Sequence, residues 1–344
     1  GLTTKELSKP WSVGLSLRGF YDDNQFTAPS GSGRDDDAFG IEVAPSASLN
    51  WTLPQTYMGL SYQFGYRLYD SRPNREYDTL HQLDAKLNHV FTERFKIELA
   101  DTFVSAQEPG QIGTGVLIPV RTEGDNIHNH FNVDFTAGLT EKLSVLLGYA
   151  NHYYNYDDSG RPGSYSAVLD RMEHEGTINL RWQLSTSSVG LLGYSYGVSE
   201  YDSSDALGLG SPFRGTDRDS ETHRVYVGAD HSISSQLNGS LRIGAQFTDY
   251  DQFNQSSHSP YVDGSLSYNY RPESFASVGI RHARNATDIA VLNAAGTVPT
   301  LDQETTTVYA SIPHAVPARL RASLVAQAQF SEFEAGGAGG ESEI

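Results

Sequence analysis

Residues 39–53, FGIEVAPSASLNWTL, read differently at alternate positions. One parity is Phe39, Ile41, Val43, Pro45, Ala47, Leu49, Trp51 and Leu53; the other is Gly40, Glu42, Ala44, Ser46, Ser48, Asn50 and Thr52. Side chains of a β-strand point alternately to its two faces, so this period puts every large apolar group on one face. The pattern recurs: Met58, Leu60, Tyr62, Phe64, Tyr66 and Leu68 oppose Gly59, Ser61, Gln63, Gly65 and Arg67. Phe131, Val133, Phe135, Ala137 and Leu139 oppose His130, Asn132, Asp134, Thr136 and Gly138. Late in the chain Leu320, Ala322, Leu324, Ala326, Ala328 and Phe330 oppose Arg319, Arg321, Ser323, Gln327 and Gln329, with Val325 the one apolar side chain on the polar side.

Period-two counting predicts about fifteen such segments. They begin near Trp11, Phe39, Tyr57, Leu80, Phe95, Ile127, Leu143, Arg171, Val189, Thr222, Leu237, Ser259, Phe275, Thr305 and Arg319. The ninth is irregular, because Val189 and Leu191 fall on the parity opposite to Leu192, Tyr194 and Tyr196; a β-bulge is the expected cause. No segment has a helical period. Connections alternate in length. Short ones (54–56, 92–94, 140–142, 185–188, 271–273) follow even segments, and long polar ones (25–37, 107–126, 202–220, 291–302) follow odd segments. Short turns on one side and long loops on the other are the signature of an antiparallel up-and-down transmembrane barrel, with periplasmic turns and extracellular loops in the outer membrane of a Gram-negative bacterium. A soluble sandwich would mix its loop lengths and carry charge on its exposed face. Here the apolar parity carries almost none, Asp101 being the main exception.

Composition agrees. The 344 residues include 33 Gly, 20 Tyr and no Cys, and the net charge is -18. No stretch approaches the roughly 20 apolar residues of a membrane helix. The absence of cysteine excludes thiolate metal sites, disulfide scaffolds and cysteine nucleophiles. An acidic balance argues against nucleic acid as a partner. Residues 1–10 read as a periplasmic N-terminal segment and 11–344 as the barrel domain. An odd segment runs outward, so the fifteenth ends on the long-loop side and 334–344 reads as the start of a further outer loop. Single-chain barrels normally have an even strand count, so the expectation is a C-terminally incomplete barrel of 16–18 strands when whole. Trp11, Trp51, Trp182, Tyr149, Tyr268 and Tyr270 are candidates for interfacial girdles.

The first hairpin holds Phe20-Tyr21-Asp22-Asp23-Asn24, then Asp35-Asp36-Asp37-Ala38-Phe39 and Val43-Ala44-Pro45-Ser46-Ala47-Ser48-Leu49. In this it resembles the opening of outer-membrane β-barrel porins of the type found beside exosortase and exopolysaccharide loci. The resemblance rests on this hairpin. It implies a barrel in the outer membrane and, for function, a pore.

The polar parity would line the lumen. Its acids include Asp22, Glu42, Asp84, Glu98, Asp134, Glu173, Glu175, Asp230 and Asp263; its bases include Arg18, Arg67, Lys86, Lys96, Arg181, Arg224, Arg242, Arg281, Arg319 and Arg321. Most acids fall on segments two to eight and arginine dominates segments ten to fifteen. In a closed barrel the two groups would face each other across the pore, or else pair locally with neighbours. The loop 107–126 contains the apolar run Val116, Leu117, Ile118, Pro119 and Val120. Such a run finds cover either in the barrel mouth, as a constriction carrying Arg121, Glu123 and Asp125, or against another protein. The acids Asp22, Asp23, Asp35, Asp36 and Asp37 crowd one outer end without the spacing of a calcium loop. His128 and His130 share a strand face, but no recognisable ligand set follows, so no metal and no cofactor is assigned. No Gly-x-Ser-x-Gly elbow or phosphate loop is present, so no catalysis is expected. The expected function is passive diffusion of small hydrophilic solutes. The alternatives are a conduit for polysaccharide export and a structural barrel anchoring an envelope assembly. Expected partners are outer-membrane lipid and lipopolysaccharide, small polar solutes, and a homo-oligomer or envelope protein.

Overall fold

The computed structural model describes residues 9–22, 37–71, 76–107, 124–253, 255–272, 274–286, 300–316, 320–335 and 341–343. It is one antiparallel sheet in which every strand pairs with its neighbours in sequence. The strands are β1 (Trp11–Asp22), β2 (Ala38–Thr52), β3 (Thr56–Tyr69), β4 (Tyr77–Thr92), β5 (Phe95–Ala106), β6 (Asn126–Gly138), β7 (Leu143–Tyr156) and β8 (Arg171–Ser185). They continue as β9 (Ser188–Tyr201), β10 (Ser220–Ser232), β11 (Leu237–Tyr250), β12 (Gln255–Arg271), β13 (Ser274–Ala286), β14 (Thr300–Val316), β15 (Leu320–Ala335) and the three-residue β16 (Glu341–Glu343). The up-and-down antiparallel fold is the one the alternation predicts. Among the described residues β1 pairs only with β2, so the sheet is not closed.

Period-two reading locates strand starts well because each strand has a clean apolar face. It misses the first four residues of β12 (Gln255-Ser256-Ser257-His258), which are polar on both faces, and the first five of β14 (Thr300-Leu301-Asp302-Gln303-Glu304), where Leu301 is the one apolar residue. It also misses β16, whose Glu-Ser-Glu pairs with Glu332–Glu334 where an outer loop is expected. One turn of helix, α1 (Tyr165–Leu169), lies in the loop after β7; it is too short to show a period.

Burial is inverted relative to a soluble protein. Val13 is 74% exposed, Leu17 70% and Trp182 57%, whereas Gln246, Ser195, Thr305 and Thr307 are each 2% exposed. The apolar face therefore points away from the molecule and the polar face packs inside. Water does not wet such an outer face cheaply: burying one large aliphatic or aromatic group is worth about 1.5–3 kcal/mol. Among the described residues no helix is long and apolar enough to cross a membrane.

The expected bulge in β9 is absent. Ser188–Ser199 runs in unbroken register against β10, and the only irregularity toward β8 lies at the turn, between Gln183 and Ser185. Leu191 simply belongs to the inner face, where it joins Tyr226, Tyr261 and Ala283 in a small apolar cluster. An inner apolar group breaks the alternation as a bulge would, but without an extra residue.

Candidate functional site

The inner face carries the charges expected there, and many of those on β1–β3 and β8–β11 pair locally. Glu42 accepts from Arg18 at 2.6 Å and from Arg67 at 2.7 Å, on the two strands that flank it. Asp230 accepts from Arg181 at 3.0 Å and Arg242 at 3.0 Å in the same way. Arg224, on β10, reaches across β9 to Glu175 at 3.2 Å and lies over the Tyr261 ring. Glu173 is held by Arg171 at 2.6 Å, and Lys96 by Glu98 at 2.8 Å. Asp84 accepts from Gln82 and from Thr102 at 2.8 Å. Asp263 stands in register with both Arg242 and Arg281. Asp134 is opposite Glu98, Lys86 is opposite Gly59, and Arg321 is opposite Ala315. Arg319, Asp23, Asp35, Asp36, Val116, Leu117, Ile118, Arg121 and Glu123 lie outside the described residues. Asp125 does not: its carbonyl accepts from Asp157 N at 3.0 Å, tying the end of that loop to the next.

Aromatic rings fill the inner face between these pairs. Tyr226 and Tyr261 sit 5.4 Å apart, and the Tyr226 hydroxyl donates to Asn179 at 2.8 Å. Tyr226 lies flat against Gly193 on the next strand, close enough that a Cβ there would fall 2.2 Å from the ring; Tyr309 covers Gly279 in the same manner. His128, His130 and His152 meet edge to face in series, with ring centroids 5.5 and 4.6 Å apart. Among the described residues no three His, Asp or Glu side chains are placed to hold one metal ion.

At the long-loop side, the connections after β7 and β9 interlock over the inner face. Ser164 caps α1 by accepting from Ala167 N at 3.0 Å, and its hydroxyl donates to Asp205 of the other loop at 2.9 Å. Asp205 also accepts from Gly160 N at 2.6 Å, and Gly163 N donates to Ala206 O at 2.8 Å. Gly160 and Gly163 have φ of 85° and 70°, a left-handed backbone that glycine adopts without strain. Arg218, fully buried, donates to Val168 O at 2.7 Å and stacks on the inner-face ring of Tyr201. Tyr165 packs against inner-face Tyr156, and Phe213 against Phe253 of the next loop.

An aspartate closes the base of each loop. Asp170 accepts from Tyr156 N at 2.7 Å and from the Ser166 hydroxyl; Asp219 accepts from Tyr201 N at 2.7 Å. Burial pushes both carboxyls above the ordinary aspartate value. The hydrogen bonds oppose the rise, and neighbouring acids add to it. The sequence reading missed this cap, since its members are scattered polar loop residues with no shared period. The pair of Asp residues directly preceding β8 and β10 is the one signal in the sequence.

No family model matches the chain, and no curated protein does. Among solved structures it is similar to the FrpB iron transporter of Neisseria meningitidis (F5-1 variant, apoprotein form), at 13% identity and a TM-score of 0.47. That match covers 96% of this chain and 57% of that one. It is also similar to Acinetobacter baumannii OccAB4 (11% identity, TM-score 0.42, covering 96% and 94%). Pseudomonas aeruginosa OpdQ gives 9% identity, a TM-score of 0.42 and coverage of 96% and 95%. The chain thus spans a little over half the length of the FrpB structures.

Proposed function

We propose that the chain forms the wall of an outer-membrane channel through which small hydrophilic solutes diffuse passively. The inverted burial carries this reading: an apolar outer face suits lipid, and an inner face of arginine, carboxylate and hydroxyl groups suits water. The lining charges in this reading are Arg18, Glu42, Arg67, Asp84, Lys86, Lys96, Glu98, Asp134, Glu173, Glu175, Arg181, Arg224, Asp230, Arg242, Asp263 and Arg281, together with Arg319 and Arg321 by the sequence alternation alone. Because many pair with an adjacent strand, their field over the lumen is patchy rather than split into an acidic and a basic half. The interlocked loops after β7 and β9 narrow the mouth from the outside. Val116, Leu117, Ile118, Arg121, Glu123 and Asp125 would add a second constriction if their loop also folds inward.

The test is a planar-bilayer recording on the purified protein. Open steps whose size follows bulk salt support the channel. Block of those steps by an anionic polysaccharide, with small sugars still passing, would redirect the reading to polymer export. The interlocked loop cap favours a second reading, a closed barrel that serves as an anchor, and a silent bilayer would select it.

A further inference from the structure

The inner face holds one side-chain cluster that pairs no lining charges across strands as the others do. His128 and His130 on β6 and His152 on β7 lie near the long-loop ends of their strands, and His130 stands directly opposite His152 in register. The His130 and His152 rings meet at 63° with centroids 4.6 Å apart, and His128 and His130 at 72° and 5.5 Å. Two imidazoles held side by side on one ion, at metal–nitrogen distances of about 2.0–2.1 Å, have centroids roughly 4.5–5.5 Å apart.

The neighbours decide what these rings offer. Asn126 Nδ2 donates to Gly124 O at 2.8 Å, so its Oδ1 is the atom that faces His128 Nδ1, 3.1 Å away. An amide oxygen only accepts, so Nδ1 of His128 carries the hydrogen and Nε2 of the neutral ring is a bare lone pair. Glu173 Oε2 lies 3.6 Å from His152 Nδ1 and favours hydrogen on that nitrogen in the same way. Arg171 holds the other oxygen of Glu173 at 2.6 Å, which fixes the carboxylate and offsets the guanidinium charge beside the cluster. An oxygen acceptor behind the far nitrogen of an imidazole is the arrangement that orients metal-bound histidine.

His130 adds an independent observation. It is 8% exposed, and its Nε2 is buried with no hydrogen-bond partner among the described residues. A buried nitrogen left unpaired is a cost that a ligand would remove. His152 is the more exposed of the two and opens the pair to the inner side.

We propose that Nε2 of His130 and Nε2 of His152 clamp one divalent transition-metal ion of the zinc, nickel and copper class. Imidazole nitrogen suits these ions, whereas magnesium and calcium take oxygen. Bare lone pairs give no donor to phosphate or carboxylate, so the ligand is a cation. Among the described residues no third His, Asp or Glu converges on the pair, and water completes the shell. A site with two protein ligands fills and empties, as a wall along a diffusion path requires.

The test titrates the whole protein, without an affinity tag and in detergent micelles at neutral pH, with Zn2+ against a chromophoric chelator. One saturable site per chain is expected, unmoved by a hundredfold excess of Mg2+. H130Q and H152Q, checked for folding by heat-modifiable migration, should each weaken it tenfold or more, and H231Q should leave it unchanged. Cu2+ at one equivalent gives a second readout on the unaltered chain: its electron paramagnetic resonance should show nitrogen splitting from two imidazoles. No saturable Zn2+ binding, displacement by Mg2+, a Cu2+ spectrum with one nitrogen or none, or weakening by H231Q equal to that by H130Q each overturns the clamp. Binding in micelles does not depend on conduction, so a silent bilayer leaves the clamp standing and a failed titration leaves the channel standing.

Discussion

Single residues on the inner face act through what they balance. Asp230 holds two arginines from flanking strands. In Asp230→Asn both guanidiniums stay in place and lose their counter-charge, so the lumen gains positive potential. The expected outcome is a shift of reversal potential in a salt gradient toward anion selectivity, shrinking as ionic strength rises. An unshifted potential would place Asp230 off the conduction path. Gly193 acts by absence. A valine there would drive the Tyr226 ring off its seat and break its bond to Asn179. Overpacking of this kind costs about 1–3 kcal/mol. The denaturant midpoint in micelles should fall for Gly193→Val and stay near wild type for Gly190→Val, whose Cβ meets only the flexible Leu184 side chain.

Among elements, the loops after β7 and β9 behave as one unit because each supplies what the other lacks. The first gives carbonyls and amides, the second Asp205 and Arg218. Arg218→Ala leaves Val168 O without its donor and removes the stack on Tyr201. Single-channel conductance should rise and amide exchange at Gly163 and Ala167 should accelerate, with sheet amides unchanged. Unchanged conductance with accelerated exchange would mean that the cap stands clear of the pore. Acid affects the same unit in a defined direction. Asp170 and Asp219 have raised values when folded, so the folded loops hold more protons than the unfolded chain just above the ordinary aspartate value. Their contribution to stability therefore falls as pH rises through that window and is fully present below it. Exchange protection in the loops, corrected for intrinsic rates, should be greater near the ordinary aspartate value of 3.8 than at pH 7; protection that declines on acidification would contradict the assignment.

For the whole molecule, the proposed membrane placement makes depth in the bilayer the governing variable. Val227 lies midway between His223 and His231 on the outward face. Arginine at the midplane costs about 2–4 kcal/mol, against about 0–1 near an interface. Val227→Arg should therefore destabilise the vesicle-inserted protein far more than His223→Arg in guanidinium unfolding. Equal costs would contradict a membrane midplane at Val227.

The order and facing of the fifteen long strands were legible in the sequence because an apolar face on one side and a polar face on the other impose a period of two, which any single strand displays alone. Phe39 to Leu53 suffices to show it. The composition of the inner face was legible for the same reason. What remained hidden depends on neighbours. Register decides that Glu42 meets Arg18 and Arg67 rather than a partner across the lumen. Packing decides that Leu191 turns inward without a bulge. The knit of Arg218, Asp205 and Ser164 joins residues some forty to fifty positions apart, where no local pattern reports contact.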